Sequence, residues 1–244
     1  MDEIFKMKKI LITGGGGYVG SALSDYLIKK GFEVTAYDLF MYGQDVFTEN
    51  DKIRLVKGDI RNEKLFSDSV KNHDAVIHLA CISNDPSFEL NPKLGKSINF
   101  DAFEPLVKLS LKNGVKRFIY ASSSSVYGIK SEQNVNEDMS LEPLTDYSKF
   151  KVDCEKILNA YKSHNFETVI IRPATVCGFS WRQRLDVIVN ILSNLAFHKR
   201  EITVFGGSQL RPNIHISDML RAYELLLNAD SSKVNGQTFN AGWE

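Results

Sequence analysis

Tyr147 and Lys151 stand four residues apart in Tyr147-Ser148-Lys149-Phe150-Lys151. On a helix that spacing puts a phenol and an ammonium on one face, one turn apart. Pro143 lies just upstream, and Thr145 and Asp146 are candidate caps, so a helix is expected to start here. A neighbouring cation favours the phenolate. Tyr147 is therefore expected to titrate well below the ordinary value of about 10 and to act as an acid/base near neutral pH. Taken alone, Tyr-x-x-x-Lys is more often a solvated helix face. It carries chemistry only beside a nicotinamide site and a hydroxyl partner.

The sequence supplies both. Lys9–Thr13 is an apolar run of buried-strand type, and Val19, Leu23 and Leu27 have helical spacing. Between them, Gly14, Gly17 and Gly20 form Gly-x-x-Gly-x-x-Gly. Such glycines allow a tight turn and close approach of a pyrophosphate to the helix N-terminus, where free amides favour anions. The next strand, Glu33–Asp38, ends in an acid about twenty residues past the glycines. A carboxylate there bonds ribose hydroxyls and repels a 2′-phosphate, which favours NAD over NADP. Further strands are expected at 53–60, 75–80 and 118–122, with helices between them. The alternation implies an α/β fold: a doubly wound, Rossmann-like parallel sheet with ligands outside the carboxyl ends of its strands. Ser122-Ser123-Ser124-Ser125 falls at such an end, where a hydroxyl can donate and accept. His78 reads as a core or strand-end histidine.

Composition narrows the class. A chain of 244 residues, 43% hydrophobic, suits one large α/β domain or a domain with a small lobe. Its 30 basic and 30 acidic residues cancel, so nothing marks it for nucleic acid or an anionic membrane. Cys81, Cys154 and Cys177 are scattered without metal spacing and read as reduced thiols of a cytoplasmic protein; no metal is expected. Residues 1–6 lack the apolar core of a signal peptide, and no run reaches membrane-spanning length.

In order along the chain come residues 13–20, Asp38, Asp59-Ile60, His78-Leu79-Ala80, residues 122–128, Tyr147-x-x-x-Lys151, Arg172-Pro173 and residues 214–218. With these motifs the chain resembles, over essentially its whole length, the extended short-chain dehydrogenases/reductases. The closer likeness is to the NAD-dependent epimerase/dehydratase family acting on nucleotide sugars. The resemblance implies Ser123 as the catalytic hydroxyl, four residues before the tyrosine of Val-Tyr-Gly. Tyr147 would be the acid/base, and Lys151 its electrostatic partner and ribose ligand. It implies a cofactor site of Gly14, Gly17, Tyr18, Val19, Gly20, Asp38, Asp59, Ile60, Leu79, Ala80, Tyr147, Lys151 and Pro173, with Asp59 and Ile60 flanking the adenine. The cofactor would be NAD and the substrate a nucleotide-diphosphate sugar.

The strand–helix rhythm breaks after the sixth strand, 168–171. A dinucleotide-binding domain, 1–173 rejoined by 215–244, is expected to carry a small C-terminal substrate-binding lobe, 174–214. That segment holds a helix-like 185–196 and a short 201–205. Candidate substrate contacts are Ser83, Asn84, Ser124, Thr175, Arg182, Arg184 and Arg211, the last placed where family members hold the diphosphate; guanidinium forks suit phosphate. His215 is expected to anchor its loop. The implied activity is a nucleotide-sugar epimerase, inverting C4 by transient oxidation to a keto-sugar. A 4-ketosugar reductase is the alternative. A 4,6-dehydratase ranks third, because Ser124-Ser125 replaces the usual Asp-Glu. A non-catalytic NAD-binding regulator is the reading from another class. Thr175 and Cys177 also replace the family's usual Asn and Tyr. Family members continue past the point matching Glu244 with more helices and a second phosphate-binding arginine, so a smaller lobe or a shortened chain is expected. A homodimer is expected through helices at 103–111 and 150–161.

Overall fold

A computed structural model describes residues 7–47, 50–132 and 134–242; the opening residues 1–6 and the closing pair 243–244 considered above lie outside the described residues. The chain runs β1 (Lys9–Thr13), α1 (Tyr18–Lys29), β2 (Glu33–Asp38), β3 (Ile53–Lys57), α2 (Glu63–Val70) and β4 (Ala75–His78). Then come α3 (Asp85–Glu89), α4 (Pro92–Lys96), α5 (Phe103–Lys112), β5 (Arg117–Ala121), α6 (Asp146–Ala160) and β6 (Glu167–Pro173). It closes with β7 (Thr175–Cys177), α7 (Ile188–Lys199), β8 (Asn213–His215), α8 (Ile216–Asn228), α9 (Ser231–Val234) and β9 (Gln237–Ala241).

Seven strands pair in the order β3-β2-β1-β4-β5-β6-β9, every neighbour parallel. Because a parallel sheet is covered on both faces, its central strands are largely apolar. Ile10, Leu11 and Ile12 are fully buried, as are Val76, Ile77 and Ile119. One face packs on α1 and α8 through Leu23, Leu27, Met219 and Tyr223. The other packs on α2, α5 and α6 through Phe66, Phe103, Leu106 and Leu158. Chain order reverses between β1 and β4, and it is beyond the carboxyl ends at such a switch point that open α/β sheets hold ligands. The glycine turn, residues 79–85 and residues 122–128 all leave the sheet at that edge.

Three differences from the sequence reading have local causes. The helix expected from 185 starts at Ile188, because the Asp186 carboxylate takes both a fork from Arg184 and the Asn84 amide, which keeps the preceding residues extended. Residues 201–205 form no strand and are exposed. The sheet gains β9 instead, and β7 pairs with β8 in a separate two-stranded sheet. Both additions are short and carry polar residues, so no apolar run announces them.

Candidate active site

The turn after β1 is built for close approach. Gly14 has φ +72, and a Cβ there would meet the Ala80 backbone nitrogen at 2.7 Å. A Cβ on Gly20 would run into the Gly14 carbonyl. Gly17 caps α1 with no side-chain hydrogen bond, so no side chain covers the first-turn amides of Tyr18 and Val19. Asp38 braces the turn: its carboxylate accepts the Gly16 N–H at 3.1 Å and the Phe40 N–H at 2.7 Å. Leu79 N–H bonds the Thr13 carbonyl at 3.0 Å, which sets residues 79–80 against the glycines. A narrow amide-lined cradle ending in a carboxylate fits a dinucleotide.

α6 starts at a capping box. Thr145 accepts the Ser148 N–H, and the Ser148 hydroxyl accepts the Thr145 N–H. This fixed start puts Tyr147 in the first turn and Lys151 one turn later. Lys151 is 5% exposed, donates to the Ala121 carbonyl at 2.6 Å and lies 5.6 Å from the centre of the Tyr147 ring. Ser123 caps the short turn Ser124–Tyr127; its oxygen accepts the Ser125 N–H at 3.1 Å and the Ser125 hydroxyl at 2.9 Å. With both lone pairs taken, its hydrogen is left to donate outward, and Tyr147 is the phenol it reaches.

Burial pushes the Tyr147 phenol up from its ordinary value; Lys151, Arg184 and the Ser123 hydroxyl pull it down by less. The lowered phenol expected from the sequence is thus not produced by this chain's own groups. Desolvation outweighs the cation.

Among the sequence candidates, Ser123, Tyr147 and Lys151 come together past the end of β5, on the sheet edge that the glycine turn also leaves, with Ser124 opening the short turn that Ser123 caps. Arg184 is ion-paired to Asp186, which is bonded to Asn84, and its charge helps to lower the Tyr147 phenol. Tyr18 joins the cradle to the segment beyond β7: its hydroxyl donates to the Gly178 carbonyl at 2.7 Å and accepts the Asn190 amide at 3.1 Å. Val19, Gly17 and Ala80 line the turn, and Pro173 ends β6 beside Ala241. Asp59 accepts Arg61, and its carbonyl takes the Tyr37 hydroxyl beside buried Ile60. Thr175 lies half-buried in β7. Ser83 is exposed. Arg211 is exposed, on a fully exposed stretch spanning residues 200–212. Arg182 stacks on Tyr42, 3.5 Å from the ring centre.

His78 is 3% exposed and bonds Thr13 Oγ1 through Nδ1 at 2.7 Å; burial, then Lys151, pushes its imidazole down to about 3. It is a core residue. His215 caps α8 by accepting the Ser217 N–H. Cys81, read from the sequence only as a reduced thiol, is half-buried directly after Ala80, past the carboxyl end of β4.

The model of the NAD dependent epimerase/dehydratase family matches residues 10–242. An uncharacterized UDP-glucose epimerase, YtcB, of Bacillus subtilis is 31% identical over 96% of this chain and 76% of its own length. A UDP-N-acetyl-alpha-D-glucosaminuronate decarboxylase of Bacillus cytotoxicus is 30% identical over 97% and 75%. The structure of a UDP-glucuronic acid 4-epimerase from Bacillus cereus, in complex with UDP-glucuronic acid and NAD, superposes with TM-score 0.86 at 28% identity, covering 97% of this chain and 78% of that one.

Proposed function

This chain belongs to the NAD-dependent epimerase/dehydratase family, and from that premise we propose that it is a nucleotide-sugar 4-epimerase acting on a UDP-sugar. The observation that supports this most is the meeting of Ser123, Tyr147 and Lys151 on the sheet edge that also carries the glycine cradle, with serines at 124 and 125. Those two serines offer no carboxylic acid or base for eliminating water, which argues against a dehydratase and favours transient oxidation and return.

The chain's residues divide the work. The amides of Tyr18 and Val19 receive the pyrophosphate, and Asp38 receives ribose hydroxyls. Lys151 has donors to spare beyond Ala121 for the second ribose. NAD, when bound, supplies the reversible hydride acceptor and a positive charge near Tyr147. Tyr147 takes the proton of the C4 hydroxyl and later returns it. Ser123 holds that oxygen with its one free hydrogen, and Lys151 favours the phenolate. In this reading Arg184 and Asn84 contact the sugar, with Ser83, Ser124 and Thr175 as further substrate contacts, and Arg182 and Arg211 serve the diphosphate. Residues 174–214 act as the substrate lobe on the dinucleotide domain.

Two wider readings go with this. The protein works in the cytoplasm, which the free thiols of Cys81, Cys154 and Cys177 support. It forms a homodimer through α5 and α6, which are joined on one side of the sheet by the Tyr161–Glu104 hydrogen bond. Among the described residues no helix is long and apolar enough to cross a membrane.

The test is incubation with NAD and UDP-glucose, UDP-galactose, UDP-glucuronic acid or their N-acetylated relatives, following sugar interconversion and NADH absorbance together. Interconversion without net NADH is expected. Consumption of one NADH per turnover would identify a ketosugar reductase instead, and no conversion of any sugar would overturn the reading.

A further inference from the structure

The helix carrying Tyr147 and Lys151 grips the end of β5 at two successive turns. Lys151 holds the Ala121 carbonyl, and one turn later the Glu155 carboxylate accepts the Ser122 hydroxyl. Glu155 and Ser122 are each 4% exposed. Arg172, on β6, clamps the same carboxylate, with Nε 3.0 Å from one oxygen and Nη2 2.7 Å from the other. Its Nη1 donates to the Tyr127 hydroxyl at 2.7 Å, and that hydroxyl donates to Asn240 at 2.7 Å. Ser122 and Tyr127 bracket the turn that begins at Ser123. Both ends of that turn are therefore tied to one buried ion pair.

A buried ion pair is weak evidence for stability, since apolar residues of the same volume often serve as well. What an apolar pair could not do is hold a serine hydroxyl and a phenol at fixed points on either side of Ser123. We infer that Glu155 is a positioning residue, which through Ser122 fixes where Ser123 presents its hydroxyl to Tyr147. Arg172 orients Glu155 and secures the far end of the turn through Tyr127. The inference rests on the roles proposed above for Ser123 and Tyr147.

Ser122→Ala removes the link and leaves the Glu155–Arg172 pair whole. We expect kcat for UDP-sugar interconversion to fall about tenfold at unchanged KM, and Ser122→Thr to restore most of it. In a Ser123→Ala background the same change should cost no more than about twofold, because the hydroxyl it positions is gone. Equal losses in both backgrounds, a change confined to KM, or no loss at all would overturn the inference. Amide hydrogen exchange across residues 122–128 needs no sugar; it should quicken about tenfold in Ser122→Ala and recover in Ser122→Thr. Unchanged exchange also overturns the inference. A wild-type protein that converts no UDP-sugar but shows the exchange effect counts against the proposed reaction alone.

Discussion

Lys151 and Tyr147 are held one helix turn apart, with the ammonium 5.6 Å from the ring centre and anchored on the Ala121 carbonyl at 2.6 Å. The anchor matters as much as the distance. A lysine tied to the end of β5 cannot swing its charge toward solvent, so its pull on the phenol is permanent. That pull opposes burial without overcoming it, and the balance between the two sets the pH range in which Tyr147 works.

Tyr147→Phe removes the proposed proton acceptor and little else, because the ring and its packing remain. Sugar interconversion should fall by about 10²–10⁴-fold or more, the usual worth of a positioned acid/base. Calorimetric titration with NAD should show affinity within a few-fold of wild type. A variant with undiminished turnover would mean Tyr147 is not the acid/base.

The pH profile follows from the sign of the shift. Tyr147 takes a proton only as phenolate, and burial raises its phenol. The rate should therefore climb as pH rises from neutral, as the deprotonated fraction grows. Lys151→Met removes the opposing cation, so this limb should move to higher pH. Measuring kcat/KM against pH at saturating NAD checks both; a limb that stays in place would remove Lys151's electrostatic role.

Asp38 braces the glycine turn through Gly16 and Phe40, and in the proposed function it also holds the ribose. Asp38→Ala should weaken NAD binding about tenfold, the order expected for losing charge-assisted hydrogen bonds. It should also narrow the preference over NADP, because the group that repels a 2′-phosphate is gone. Parallel titrations with both cofactors decide the matter. Unchanged discrimination would place the ribose elsewhere.

His78 predicts an acid-sensitive fold. Its imidazole is held neutral down to about 3 in the folded protein, chiefly by burial, whereas an unfolded histidine titrates near 6.5. The unfolded chain thus binds the extra proton between those values. Stability is full above about 6.5 and declines as pH falls, by up to about 1.4 kcal/mol per pH unit from this group. His78→Phe, placed among Phe103, Phe118 and Tyr120, should flatten that decline in urea unfolding at pH 7 and pH 5. An unaltered slope would assign the acid sensitivity to other groups.

The first six strands, the glycine turn and the Tyr147 helix were legible because each is written locally. A buried parallel strand needs an unbroken apolar run, a tight turn needs glycines, and a helix start needs a cap such as Thr145. The strand Gln237–Ala241 and the pairing of β7 with β8 were not legible, because both are short and their polar residues are satisfied by distant partners. Asn240 is the clearest case, bonded to Tyr127 and to Val135 across more than a hundred positions.

What the sequence by itself determined is which chemical groups this protein has and which lie within one turn or one strand of each other: phenol with ammonium, glycines with a helix start, serines at a strand end. Only the tertiary structure decided that Ser123 has one hydrogen to give, that Arg184 pairs with Asp186, and that burial outweighs Lys151 at the phenol. Covalent neighbours and helical or strand periodicity act over a few residues and leave a mark in order and spacing. Desolvation and long-range hydrogen bonds depend on what the whole fold stacks around a group, and that has no counterpart in local sequence.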